Sequence, residues 1–332
     1  MNRRFGVRKA AAVAAVGTCV LATYVGVASG EIGTRSSVPL VTVPLVSQTQ
    51  VLDAVKAAQT LKTVPSDLRP SLLDTKDVAA PGFGGDFRCG TATPNKAEVP
   101  SYAFGGCSYG NLRSKKLMVV YGDSHAGMWG EALQYVALRE GWRLVTFDLP
   151  GCPAPDLNFI SWTTSSPNTQ CDVFHQIAPA AINKLHAQLV VVTSEAGAQQ
   201  VKRNVMATAA QWETGWSTAI RGLQQPGTKV VMIGDIPQWD NDDAYCLSAH
   251  MSDVQACAAP PSVALAPNVK AEDLAAEVNK VPYISPSPWI CAEECEPVID
   301  GMRVYLDQYH LTASYVGYLS GSLQEALAMS NY

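Results

Sequence analysis

The chain has 332 residues, 47% of them apolar and 16% charged, with 25 Gly and 21 Pro. That length suits one large domain or two small ones, and the balance excludes a disordered acidic chain and a coiled coil. A net charge of −5 argues against a nucleic-acid partner, which calls for a basic patch.

In chain order, Arg3, Arg4, Arg8 and Lys9 stand ahead of an uncharged stretch from Ala10 to Gly30. A basic start, an apolar middle and the small residues around Val27-Ala28-Ser29-Gly30 fit an export signal. Left uncut, the same stretch is about long enough to span a bilayer. A lipid on Cys19 is a third reading, with a poor match in Val16-Gly17-Thr18. The expectation is an extracytoplasmic protein, secreted or anchored by one N-terminal segment.

Without residues 1–30 the chain keeps 20 basic and 29 acidic residues, a net charge of −9. It also keeps eight cysteines: Cys89, Cys107, Cys152, Cys171, Cys246, Cys257, Cys291 and Cys295. An even count in an oxidising compartment predicts four disulfides, expected here between sequence neighbours. Disulfides are favoured over zinc, because Cys291 and Cys295 stand four apart with no His nearby. No metal or cofactor is expected.

Residues 31 to about 49 are rich in Ser, Thr, Val and Pro and suit an extended tether. Val51, Leu52, Val55, Ala58 and Leu61 then fall at helical spacing. From Leu117 onward, short β-branched runs alternate with longer helical patterns. Leu117–Tyr121, Arg143–Leu149, Leu189–Thr193 and Lys229–Gly234 read as buried strands. Ala126–Gly141, Asp172–His186, Val205–Leu223 and Ala313–Ala328 read as helices, with Gly141 as a natural stop. Such alternation predicts an α/β fold, a three-layer α/β/α sandwich around a mainly parallel, doubly wound sheet. Ligands of such sheets bind beyond the carboxyl ends of the strands.

Beyond the first strand lies Tyr121-Gly122-Asp123-Ser124-His125-Ala126-Gly127. Ser124 sits at the strand-to-helix turn, where helix N–H groups can stabilise an oxyanion. A serine hydroxyl needs a base to become a nucleophile. Near the other end, Tyr305-Leu306-Asp307-Gln308-Tyr309-His310-Leu311-Thr312 spaces Asp307 and His310 so that a turn can join carboxylate to imidazole. Taken singly, each fragment reads more readily as a helix cap or a structural pair.

Together these two blocks resemble those of the SGNH (GDSL-like) hydrolases. GDSHAGMW, Gly151-Cys152-Pro153, Ile233-Gly234-Asp235-Ile236-Pro237, the cysteine pairs and Leu306-Asp307-Gln308-Tyr309-His310-Leu311-Thr312 are similar to SGNH domains fused to, or accompanying, bacterial acyltransferase-three membrane proteins. The likeness covers about residues 85 to 330. It implies a flavodoxin-like fold with Ser124 as nucleophile, His310 as base and Asp307 as its orienting acid. The N–H groups of Ser124 and Gly151 would then serve the oxyanion hole. Many members add an Asn from a GxND block after the third strand. Here that segment reads Val192-Thr193-Ser194-Glu195-Ala196-Gly197, so the hole falls to Ser194 as a substitute donor or to backbone groups alone.

The resulting division is a signal or anchor over 1–30, a tether and helical extension over 31–84, and an SGNH hydrolase-like domain over 85–332. His125 and Ser194 are candidates for contact with substrate. His175 and His186 are expected on a helix surface, and Asp235 either lines the site or caps a turn. Trp162, Trp239 and Trp289 fall in loops, where an aromatic face serves a sugar or a core equally well.

The leading functional expectation is an O-acyl esterase or O-acyltransferase acting on cell-envelope carbohydrate. Its partners would be an acylated carbohydrate or glycan acceptor and, for transfer, a separate membrane acyltransferase, with no nucleic acid. Contact with the membrane would run through an uncleaved N-terminal segment. The alternative is an envelope-binding or scaffolding protein with a decayed site, prompted by the missing Asn.

Overall fold

The computed structural model describes residues 45–77, 108–238 and 242–330. The leader, the tether up to residue 44 and the expected Cys89–Cys107 pair lie outside those residues, as does Trp239.

The main elements are α1 (Gln48–Ala58), β1 (Ser108–Gly110), β2 (Leu117–Gly122), α2 (Ser124–Glu140), β3 (Arg143–Asp148), α3 (Thr169–Lys184), β4 (Leu189–Thr193), β5 (Gln200–Lys202), β6 (Val205–Met206), α4 (Ala209–Leu223), β7 (Lys229–Ile233), α5 (Asp243–Ala249), α6 (Val269–Asn279), β8 (Tyr283–Ile284), β9 (Val298–Ile299), β10 (Met302–Arg303), α7 (Ala313–Tyr318) and α8 (Ser320–Met329). The central sheet runs β1-β3-β2-β4-β7-β8. Only β1 is antiparallel to its neighbour. Counted from β2, the parallel strands lie in the order second, first, third, fourth, fifth. The order therefore reverses between β2 and β4, beside the turn that carries Ser124.

Every residue of β2 and β4 is buried, as a strand covered on both faces requires. Alternate side chains feed two cores. Met118, Val120, Leu189 and Val191 pack with α1, α2, α7 and α8, around Trp129 and Tyr315. Val119, Tyr121, Val190 and Val192 pack with α3, α4 and α6, around Phe174, Trp212 and Trp216. The outcome is the three-layer sandwich, and α1 contributes Val51, Val55 and Ala58 to its core. A capping box between Ser47 and Gln50 starts α1.

Helix α2 ends as its sequence predicts, with Gly141 left-handed at φ +72° and its N–H bonded to the Ala137 carbonyl. The helix expected over Val205–Leu223 begins only at Ala209. Thr208 and Gln211 form a capping box there, and Val205–Met206 pairs with β5 as a small hairpin. The closing helix divides at Leu319 into α7 and α8. Strands β1 and β8 are too short to show a period. Helix α6 is missed because the apolar residues of its buried face are small, Ala271, Ala275 and Ala276, and Glu272 is buried among them.

Among the described residues three sequential disulfides are formed: Cys152–Cys171, Cys246–Cys257 and Cys291–Cys295. Among the described residues no helix is long and apolar enough to cross a membrane.

Candidate active site

Strand β2 runs out at Gly122, and Asp123 caps α2 by accepting the His125 N–H at 2.9 Å. Ser124 is the first helical residue, so its N–H has no acceptor within the helix. The Leu149 N–H donates to the Gly122 carbonyl at 3.0 Å, which brings the turn after β3 to the same sheet edge. Gly151 in that turn is left-handed at φ +73°, a conformation that favours glycine. Neither the Ser124 nor the Gly151 N–H bonds to another described residue, so both remain available donors.

Asp307 and His310 sit on a tight turn between β10 and α7. The Leu306 N–H donates to the His310 carbonyl at 2.8 Å, and Asp307 Oδ1 accepts the N–H groups of Tyr309 and His310 at 2.8 Å each. The Leu311 N–H reaches Met128 Sδ at 3.2 Å and ties the turn to α2. Across the gap, His310 Nδ1 lies 2.9 and 3.0 Å from the two Asp307 oxygens, and Nε2 lies 2.9 Å from Ser124 Oγ. An ionised carboxylate can only accept, so Nδ1 carries the proton and Nε2 is left to accept from the Ser124 hydroxyl. Burial favours a neutral Asp307. The bonds from the His310 ring and the two backbone N–H groups outweigh it and hold the carboxyl below its usual range.

Behind this surface lies a second, sealed group. His125 is 1% exposed, with its Nδ1 2.7 Å from Asp235 Oδ1, a close charge contact without hydrogen-bond alignment. Its ring meets that of His310 edge to face, with centroids 5.3 Å apart. Burial works against charge on His125, and the Asp235 carboxylate overrides it, raising the imidazole to about 10. Asp235 also accepts the N–H groups of Ala196 and Ile236, both at 2.7 Å, and its own N–H donates to Glu272 at 3.0 Å. Burial raises the carboxyls of Asp123, Asp148 and Glu272, and pushes Glu195 up to about 7.

The structure therefore brings together Ser124, His310, Asp307 and the Gly151 turn. It places Ser194 and His125 differently from expectation. Ser194 is fully buried, its hydroxyl donates to Asp123 Oδ2 at 2.7 Å, and it accepts the Ala154 N–H at 3.1 Å. Its only proton is committed, so it does not replace the missing Asn as a donor. His125 points into the interior and does not line the surface. His175 is also buried, against a surface expectation: it donates from Nε2 to the Pro153 carbonyl at 2.8 Å, and burial lowers its pKa. His186 is exposed, Trp289 lies in the core and Trp162 is open to solvent.

Cys152, Cys171 and His175 are the one group of side chains among the described residues close enough to hold a metal. The two sulfurs are bonded to each other, which leaves no thiolate to ligate. The carboxylates Asp123, Asp235 and Glu272 went unassigned or half-assigned in the sequence. Their signal was position alone, since each needs a partner far away in the chain.

A doubly wound sandwich with Ser, His and Asp joined at the carboxyl edge of its sheet defines the SGNH type of hydrolase fold. The family model of the SGNH domain fused to AT3 domains matches residues 88–324, and the chain belongs to that family. Among solved structures, it is similar to the periplasmic domain of the lipopolysaccharide acetyltransferase of Salmonella ser. Paratyphi A. That likeness has a TM-score of 0.56 and 16% identity over 86% of this chain and 99% of the other. A GDSL-like lipase from Bacteroides thetaiotaomicron aligns with a TM-score of 0.41 and 12% identity, over 64% of this chain and 88% of the other. No curated protein matches the chain.

Proposed function

We propose that the protein is an extracytoplasmic O-acyl esterase or O-acyltransferase of cell-envelope carbohydrate, working through an acyl-Ser124 intermediate. The single observation that carries this reading is His310, whose two ring nitrogens join Asp307 to the Ser124 hydroxyl. Ser124 Oγ attacks the ester carbonyl while its proton passes to His310 Nε2. The negative charge on the carbonyl oxygen is met by the Ser124 and Gly151 N–H groups. Collapse breaks the bond to the leaving alkoxide, which takes the proton from His310 and departs as an alcohol. Water or a sugar hydroxyl then gives its proton to His310 and attacks the acyl carbon; collapse breaks the bond to Ser124 Oγ, which takes that proton back from His310. Water completes a hydrolysis; the sugar hydroxyl completes a transfer.

The disulfides support a location outside the cytoplasm, and the acetyltransferase neighbour has a periplasmic domain. In the transfer reading, a separate membrane protein presents the acyl donor. A fluorophosphonate probe tests the site: it should label wild type on Ser124 and spare Ser124→Ala. One observation favours a second reading, that of an envelope-binding or scaffolding protein with a decayed site: the Ser194 hydroxyl donates to Asp123. Failure of the probe to label wild type would select it.

A further inference from the structure

Six tryptophans stand among the described residues. Trp129, Trp142, Trp212, Trp216 and Trp289 are buried, whereas Trp162 is 81% exposed. A single exposed aromatic on a loose loop needs no special reason. The loop here is instead built. Its ends are joined by Cys152–Cys171, Ile160 and Pro167 pair across its neck, and Ser161 N–H donates to the Ser166 carbonyl at 2.8 Å. Asn168 Nδ2 donates to the Gly151 carbonyl at 3.3 Å and fastens the loop to the turn beside Ser124.

The indole lies over that turn. A Cβ placed on Gly151 would come within 3.2 Å of Trp162 Nε1 and 3.8 Å of Cδ1. The missing side chain at 151 thus leaves room for the Nε1–Cδ1 edge of the indole against a turn whose N–H has no partner, while the ring stays open to solvent. Its sequence neighbours Ser161 and Thr163 carry hydroxyls, bonded to each other at 2.9 Å. A second exposed aromatic, Tyr309 at 47%, precedes His310.

We infer that Trp162 is a sugar-stacking platform, which receives the apolar face of a pyranose ring whose acylated hydroxyl reaches Ser124. Sugar C–H groups pack on an indole face, while the ring hydroxyls find polar partners around it. The inference rests on the proposed acyl chemistry for its orientation, and on the loop alone for its ligand class.

Its test uses the full-length protein and two acetate esters, glucose pentaacetate and vinyl acetate; the second has neither a sugar nor an aromatic ring to stack. Trp162→Ala should lower the ratio of kcat/KM for the sugar ester to that for vinyl acetate about tenfold, through KM, and Trp162→Phe should keep most of the ratio. An unchanged ratio in Trp162→Ala, or an equal loss in Trp162→Phe, overturns the platform. Equal vinyl acetate turnover by wild type and Ser124→Ala would instead remove the acyl chemistry. A titration of Ser124→Ala with glucose pentaacetate, followed by tryptophan fluorescence, still decides the platform in that case. Saturable quenching lost on adding Trp162→Ala supports it; quenching that persists unchanged, or that never appears, overturns it.

Discussion

Two imidazole–carboxylate pairs lie edge to face at this site, and they differ in what surrounds them. The outer pair, His310 with Asp307, is partly open, and its second ring nitrogen holds the Ser124 hydroxyl. The inner pair, His125 with Asp235, is sealed, and its second ring nitrogen has no partner. The same two side-chain types therefore serve two ends. Access to Ser124 suits the outer pair to moving a proton, while enclosure suits the inner one to holding a charge in place.

The largest break in this comparison should come from the outer side. Ser124→Ala and His310→Ala should each cut p-nitrophenyl acetate turnover about 10³-fold or more, and Asp307→Asn about 10²- to 10⁴-fold. Steady-state rates beside an unchanged melting temperature would check that the loss is chemical. The inner side should answer in stability: Asp235→Asn strands a buried imidazole and should cost about 3 kcal/mol or more in urea unfolding. A loss below about 0.5 kcal/mol would mean that the inner pair is not the structural one.

A smaller effect is expected where the outer pair meets its neighbouring turn. Replacing Cys152 and Cys171 together by Ser frees a loop whose ends are 19 residues apart in sequence, and should cost about 2–4 kcal/mol. Esterase activity should fall with it, since the Gly151 donor rides on that loop. The smallest and most diagnostic signal is pH dependence. His125 is raised from 6.5 to about 10, so the stability it contributes is complete below pH 6.5 and is lost as pH rises through 10. Glu195, raised from 4.5 to about 7, adds a loss between those two values. Urea unfolding from pH 5 to 10 should therefore show falling stability, with Asp235→Asn flattening the alkaline part.

Much of this was legible in the sequence, for reasons that differ by element. The buried strands declared themselves through β-branched runs such as Leu189–Thr193, and α2 through its cap and Gly141. Ser124, His310 and Asp307 stood out because their blocks flank an alternating α/β pattern. What stayed hidden depends on contact between remote residues. Nothing near Ser194 in the chain announces that Asp123, 71 positions away, takes its proton. Likewise Asp235 reads as lining the site or capping a turn until His125, from another strand's end, is seen beside it. The exposure of Trp162 is equally invisible, since its neighbours Ser161 and Thr163 fit any loop.

One distance in sequence carries a consequence for how the protein comes to life. Ser124 and His310 are 186 positions apart, and His310 follows every strand among the described residues. A chain made N-terminus first has its whole central sheet and the second core, but not yet α7 and α8 of the first, before the imidazole that touches Ser124 exists. Contacts of such long range also form late in folding. On the proposed chemistry, a chain whose sandwich has not closed lacks the base for Ser124, and the serine is armed only by that closure.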